Sequence, residues 1–371
     1  MAVRIKKSIV LKGIILSVLL SAGVMIGILI WTTRSETWQQ MLHFQWPFIP
    51  LLIGFSIIRW YLDGMAFVTM ARHGSKSTLG VNRAAAIRLE GNLIAYIIPA
   101  LIGTFTMHAY LLRREKMQVS EAFALSVLRT IIPVFFCLFN IPILLFMKKD
   151  PNSGKFFAEF IELVSLPIVI IIVLFVITLF YPHQIKRGAS KFVRWWERIK
   201  ILNTEKMLAI EERLFHEIDQ FSDILWMYLR KKKHMLLSAS GWIFLASLVE
   251  NFVAISIVWG FGFRLPVIKA LLLQFLMRPI ILLAPTPGGT GIWDFTYLGF
   301  FSVFMPHYLI GVGVFLWRLM LTYIPAVVGS IVLAKDFRSD KKMRKNILEK
   351  GELPQDIEEI EKNLNNHVGQ L

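Results

Sequence analysis

The chain has 371 residues, of which 56% are hydrophobic and only 18% charged, whereas a water-soluble fold usually carries about a quarter charged residues. This balance excludes a soluble globular protein and a disordered chain, and the single cysteine, Cys137, excludes a disulfide-stapled scaffold. The net charge of +16 would point to nucleic acid in a soluble protein. In an apolar chain its distribution matters more than its total, and no nucleic-acid partner is expected.

Apolar runs of about 18 residues or more can cross a bilayer as helices. Six are predicted, at 13–31, 48–70, 122–147, 160–181, 235–260 and 309–333. The first follows Arg4, Lys6 and Lys7 like a signal peptide, but it is long for one and no A-x-A site closes it, so a retained anchor is expected. Its Gly23 and Gly27 match a helix-dimer spacing, for which ordinary close packing is the expected role. Two more apolar stretches, 84–112 and 266–304, are broken near their middles by proline and glycine.

Short loops rich in Lys and Arg stay in the cytoplasm. Most of the 41 lysines and arginines lie in the N-terminus, 72–88, 113–116, 186–233 and the tail from Lys335. The segments 32–46, 148–159, 261–265 and 305–308 hold only Arg34, Lys148, Lys149, Lys155 and Arg264. This asymmetry predicts both termini inside. It also predicts that 84–112 enters from the cytoplasm and returns, and that 266–304 enters from outside and returns. The expected fold is an all-α integral membrane protein with six spanning helices and two broken re-entrant hairpins. They form two inverted repeats, residues 1–147 and 148–334, followed by a charged cytoplasmic tail, 335–371. Broken elements of this kind meet near the midplane in transporters. Pro99 and Gly103 in the first hairpin turn have the spacing of Pro287 and Gly291 in the second.

The polar segment 182–234 is the cytoplasmic linker. Met207, Ile210, Leu214, Ile218, Phe221 and Leu225 are spaced by three and four residues, which places them on one face of a helix. Such a helix could lie on the membrane surface or serve only as a connector.

Conventional catalytic chemistry has no signature here. There is no Walker A run, HExxH, CxxC or G-x-S-x-G, and the eight histidines are scattered. No catalytic residue, metal or cofactor is assigned. Ionisable residues inside apolar runs are costly and are therefore candidate site residues. Arg59 and Asp63 are one turn apart on the second span and could pair with each other or face a hydrated cavity. Glu90 stands at the mouth of the first hairpin after Arg88 and before Asn92, with Arg129 a candidate partner. Glu250, beside Asn251, is expected to pair with Arg278 or Arg318.

The sharpest local signal is the run from Ala284 to Asp294, which contains Pro285, Pro287, Gly288, Gly289 and Gly291. The prolines end an incoming helix because each lacks an N–H. The glycines permit positive φ, and a half-helix starting near Gly291 would present free N–H groups to an anion such as phosphate or carboxylate. The alternative is a tight structural reversal with Asp294 capping the first turn.

Pro285-x-Pro287-Gly288-Gly289-x-Gly291, followed by an acid three residues on, resembles the signature of the lysylphosphatidylglycerol synthase transmembrane, or flippase-like, family. That domain forms the membrane half of the multiple peptide resistance factor and occurs in bacteria and archaea. The resemblance covers about residues 10–335 and includes Arg59-Trp60, Pro99-x-x-x-Gly103, and Arg318 with Tyr323, Pro325 and Gly329. The family's usual Glu after the glycines is here Asp294, and Leu128 stands before Arg129 where an acid is common. The resemblance implies a multi-pass plasma-membrane protein that moves a polar lipid, such as an aminoacylated or glycosylated one, across the bilayer. No counterpart of the soluble aminoacyltransferase half is expected. With this implication, Pro287, Gly288, Gly289 and Gly291 with Arg278 and Arg318 are expected to hold a lipid phosphate. Asp294, Glu250, Asn251, Arg59, Asp63, Glu90 and Arg129 are the expected charge partners. Two other readings stand beside translocation: a membrane-embedded transferase such as a phosphatidylglycerol lysyltransferase, and a non-transporting partner of a lipid synthase or glycosyltransferase.

Overall fold

The computed structural model describes residues 7–74, 78–95, 100–115, 117–147, 204–282, 286 and 288–350, with isolated positions at 169, 170, 173, 177 and 190. The described residues are helical, with no strand among them. In chain order the helices are α1 (Lys7–Thr32), α2 (Ser35–Leu42), α3 (Phe48–Gly74), α4 (Val81–Ala95), α5 (Ala100–Arg114) and α6 (Val119–Met147). They continue with α7 (Thr204–Lys231), α8 (Lys233–Gly260), α9 (Val267–Leu282), α10 (Ile292–Phe304), α11 (His307–Arg318) and α12 (Ile324–Lys350).

Among the described residues, three helices are long and apolar enough to cross a membrane: Phe48–Arg72, Lys233–Gly260 and His307–Asp336. Of the other predicted spans, 13–31 falls on α1 and 122–147 on α6, while 160–181 lies almost wholly outside the described residues. The span at the C-terminal end is one helix with a defect in it. Between α11 and α12 the chain makes a π-turn, Leu319–Tyr323, in which the Ile324 N–H donates to the Leu319 carbonyl. Pro325 is the cause, because it has no N–H to give and its ring crowds the preceding turn.

The two broken stretches form pairs of short helices. At 1.5 Å per residue, α4 and α5, with 15 residues each, reach about 22 Å. The 13 residues of α10 reach about 20 Å. None of these covers the roughly 30 Å of a bilayer core. The four-residue link 96–99 lies outside the described residues, and α4 and α5 pack on each other.

Segments sort to two ends by their charge. At one end Arg83 meets Glu115 and Asp336, Ser120 meets Gln220, and Tyr228 meets Glu121, which brings the basic segments together. At the other end, Thr37 donates to the Tyr308 carbonyl at 2.7 Å. There the Gln45 N–H donates to Gly260 O, and Trp31 packs edge-on against His307. These are residues of the basic-poor segments and their immediate neighbours.

The helices α3 and α8 form the spine and run antiparallel. Leu52 on α3 shares one apolar core with Val253, Ile257 and Phe261. Ala66, Phe67 and Met70 share a second core with Met235, Ala239 and Ile243. Arg59, Asp63, Ser247, Glu250 and Asn251 occupy the stretch between the two cores, so the spine is apolar at both ends and charged in the middle. Two glycines permit close crossing. A Cβ on Gly64 would lie 2.9 Å from the Ala85 N, and one on Gly329 would lie 2.7 Å from the Leu89 carbonyl oxygen. The α3–α4 and α4–α12 contacts therefore tolerate no side chain there.

A Cβ on Gly23 or Gly27 would meet nothing within 4 Å among the described residues. Close packing against another described helix of the chain is therefore not their role. Their face of α1 is exposed, together with Ile26 and Ile30.

Candidate functional site: a charged belt between two apolar cores

Asp63 faces α4 and α6. Its Oδ2 accepts from Arg88 Nε at 3.0 Å, and its Oδ1 accepts from Arg129 Nη2. Arg88 also donates to the Asn92 side chain one turn along α4. One turn earlier on α3, Arg59 turns the other way, and its Nε donates to Glu250 Oε2 on α8 at 3.1 Å. The same oxygen accepts from Arg278 Nη2 on α9 at 3.1 Å. Arg278 also lies 3.5 Å from the Asn251 Oδ1 and from the Ser247 carbonyl oxygen. The mutual pairing open to Arg59 and Asp63 thus gives way to longer-range partners. Both side chains leave the same face of α3, but α8 supplies a carboxylate on one side and α4 and α6 supply guanidinium groups on the other.

Glu250 pairs with Arg278, one of its two candidate partners, and Arg59 was not among them. Arg318 pairs instead with Asp294. Arg318 Nε to Asp294 Oδ1 is 2.6 Å, and Nη2 to Oδ2 is 2.8 Å, a two-pronged contact with both side chains almost fully buried. Arg129 does not neutralise Glu90. Glu90 is held by Arg83 at 3.0 Å, on a different face of α4 from Arg88, because two residues rotate about 200° around a helix.

The glycine motif builds a turn that closes on itself. Gly288, Gly289 and Gly291 all have positive φ, at 63°, 64° and 83°, a region costly for any residue with a Cβ. The Gly291 N–H, which heads α10, donates to Asp294 Oδ2 at 2.9 Å. Arg318 Nη1 lies 3.4 Å from the Gly288 carbonyl oxygen, and Thr286 Oγ1 donates to Thr290 O at 2.8 Å. The Asp294 carboxylate therefore sits where an anion would sit at the start of α10. Trp317 and Tyr297 stack beside it with ring centroids 3.6 Å apart, and Gln274 Oε1 accepts from the Tyr297 hydroxyl at 3.4 Å. Pro99, Pro285 and Pro287 lie outside the described residues, and Gly103 lies within α5.

Several participants carried no sequence signal beyond their charge. Arg83 is a hub that binds Glu90, Glu115 and Asp336 within 3.0 Å, tying α4, α5 and α12 together at the basic end. Asp336 belongs to what reads in the sequence as the start of a charged tail. His108 is fully buried, with neither ring nitrogen bonded among the described residues, and its ring meets Phe67 edge-on.

The C-terminal half of α7 is committed within the chain. Phe221, Leu225 and Tyr228 are buried in the same core as α3 and α6, and Tyr228 donates to Glu121 Oε1 at 2.9 Å. Burial pushes the Glu121 carboxyl above its ordinary value, against the hydrogen bond from Tyr228, which pulls it down. That part of the amphipathic stripe is occupied from within. The side chains of Met207, Ile210 and Leu214 lie outside the described residues.

No curated protein and no solved structure matches this chain. The family model described as "Lysylphosphatidylglycerol synthase TM region" matches residues 14–329, a stretch that contains every charged residue of the belt. The chain is a membrane protein and belongs to the lysylphosphatidylglycerol synthase TM region family.

Proposed function

We propose that this protein moves a lipid with a phosphate-bearing headgroup across the plasma membrane, with the headgroup passing through the charged belt while the acyl chains stay in lipid. One observation carries the reading. Among the described residues, the ion pairs of Arg59, Arg88, Arg129 and Arg278 run to two carboxylates, Asp63 and Glu250, so four guanidinium groups face two acids between two apolar cores. Buried arginines at this depth are expensive, and a purely structural network would be expected to balance its charges. The surplus of positive charge suits a phosphate that enters and leaves. Arg278 and Glu250 keep 19% and 14% of their side chains exposed, against 4% for Asp63, which favours an approach from the α8–α9 side.

In this proposal the helix pairs α4–α5 and α9–α10 enter from opposite faces and return, the halves are inverted repeats, and the basic end is cytoplasmic. The spacing of the charged residues fits this arrangement. Asp63, Arg88 and Arg129 precede Glu250, Arg278 and Arg318 in the same order, with offsets close to that separating Pro99 from Pro287. The turn at Gly288–Gly291, closed by Asp294 and Arg318, then acts as the rigid wall beside the belt, and Arg278 supplies the phosphate contact.

The test is reconstitution in liposomes with headgroup-labelled lipids and rapid quenching from outside. Loss of the protected fraction should accelerate for at least one phosphate-bearing lipid and revert to the protein-free rate in Arg278→Gln. Identical kinetics with and without protein across the lipid panel would refute translocation.

A further inference from the structure

The belt is asymmetric in what it leaves unbonded. Arg129 Nε, Arg278 Nε and Asn251 Nδ2 are buried and have no hydrogen-bond partner among the described residues. Each is a donor only, and a buried donor without an acceptor is destabilising. The acceptors are in the opposite condition. Asp63 already faces Arg88 and Arg129, and Glu250 already faces Arg59 and Arg278. Asp294 is taken by Arg318 and the Gly291 N–H. Among described residues, the carboxylate oxygen that is buried and unbonded is Glu90 Oε2. It lies on the other face of α4, beside Arg83 and behind the α4–α12 contact at Gly329.

A ligand in the belt therefore meets spare donors and surplus positive charge, and finds there no described carboxylate that is not already shared with guanidinium groups. We infer that the belt, read as the headgroup site proposed above, selects anionic phosphate headgroups without an amine and disfavours aminoacylated or ethanolamine headgroups. An ammonium brought to Glu250 would come against Arg59 and Arg278, and like charges that close in a desolvated site repel strongly. A phosphate diester anion offers acceptors and no proton to Arg278 and Asn251, which lie side by side, and charge-assisted bonds from guanidinium to phosphate are among the stronger ones available. The substrate class thus departs from the lysylated lipid in the family's name.

The experiment is a binding comparison on the purified full chain in nanodiscs of neutral phosphatidylcholine, read by thermal shift and titration. The probes are phosphatidic acid, phosphatidylglycerol, lysylphosphatidylglycerol, phosphatidylethanolamine and inorganic phosphate. The two anionic lipids should bind at least about tenfold more tightly than the lysylated one, a difference of about 1.4 kcal/mol. Asn251→Asp, which adds one carboxylate beside Arg278 and changes no surface charge, should narrow that ratio to near unity. Equal or tighter binding of lysylphosphatidylglycerol to the unaltered protein would overturn the inference, and so would an unchanged ratio in a folded Asn251→Asp protein. Saturating protection by inorganic phosphate alone, with no added effect of any lipid, would keep the anion selectivity and refute a lipid substrate. Anion-selective binding without translocation in liposomes would refute transport alone. Translocation restricted to the lysylated lipid would refute only the selectivity.

Discussion

Replacing Asp294 with Asn tests the pair that closes the glycine turn. Asp294 and Arg318 expose about 2% and 1% of their side chains, so solvent cannot rescue the arginine once its partner loses charge. The amide oxygen, in the place of Oδ2, still accepts from the Gly291 N–H and from Arg318 Nη2, but an NH2 group then faces Arg318 Nε in place of Oδ1, and the buried guanidinium has no counter-charge. Removing one member of a buried pair costs about 3–5 kcal/mol. With roughly 2.1 cal/mol/K of unfolding entropy per residue, a 371-residue chain should lose about 4–6 °C in Tm. Arg318→Met alone should cost a similar amount, because it strands the carboxylate. Asp294→Asn with Arg318→Met should cost much less than the two single changes together, since no charge is then stranded. Thermal unfolding of purified proteins in detergent, arranged as a double-mutant cycle, reads the coupling directly. Additive losses would refute the pairing. If the pair only builds the wall beside the belt, the double variant should still translocate lipid, whereas a headgroup role for Arg318 requires that it fail.

Further expectations follow from the same geometry. Gly329→Val should destabilise by about 1–3 kcal/mol, because its Cβ would lie 2.7 Å from the Leu89 carbonyl oxygen; an unchanged Tm would mean that α4 and α12 are not this close. Asp63→Asn strands Arg88 and Arg129 together and should lower Tm more than Glu36→Gln at the surface, with the same scan as readout. The raised carboxyl of Glu121 favours the neutral form in the folded state. Stability from this residue is therefore full below the ordinary value of 4.5 and declines as pH rises through the raised one. Glu121→Gln should flatten that decline, as followed by unfolding scans at successive pH values; an unaltered slope would refute the assignment.

Much of the architecture is legible in the sequence because each signal is local. A helix that must bury its backbone polar groups in lipid announces itself by an unbroken apolar run, and α3 and α8 do so. Proline and glycine break helices by their own stereochemistry, so the interruptions before α5 and α10 can be read without neighbours. The grouping of basic segments at one end follows from charge counting alone. The partners of the buried charges are not legible in this way. Arg59 and Asp63 stand one turn apart and invite a local pair, yet each pairs with residues on other helices. Arg318, 24 residues from Asp294 in the chain, could be matched to it only once α10 and α11 were folded back on each other.

The sequence by itself determined that this is a helical membrane protein, where its helices break, and which family it belongs to. It also supplied the buried charges themselves, since residues of these types inside apolar runs are visible as soon as the runs are. Only the tertiary structure decided that Asp63 serves Arg88 and Arg129, that Glu250 serves Arg59 and Arg278, and that Asp294 closes its own turn with Arg318. Helix propensity and hydropathy act over a few neighbouring residues and can be read along the chain. A charge in a low-dielectric interior is satisfied by whichever partner packing brings within hydrogen-bonding reach, about 3 Å, and that is a property of the assembled helices.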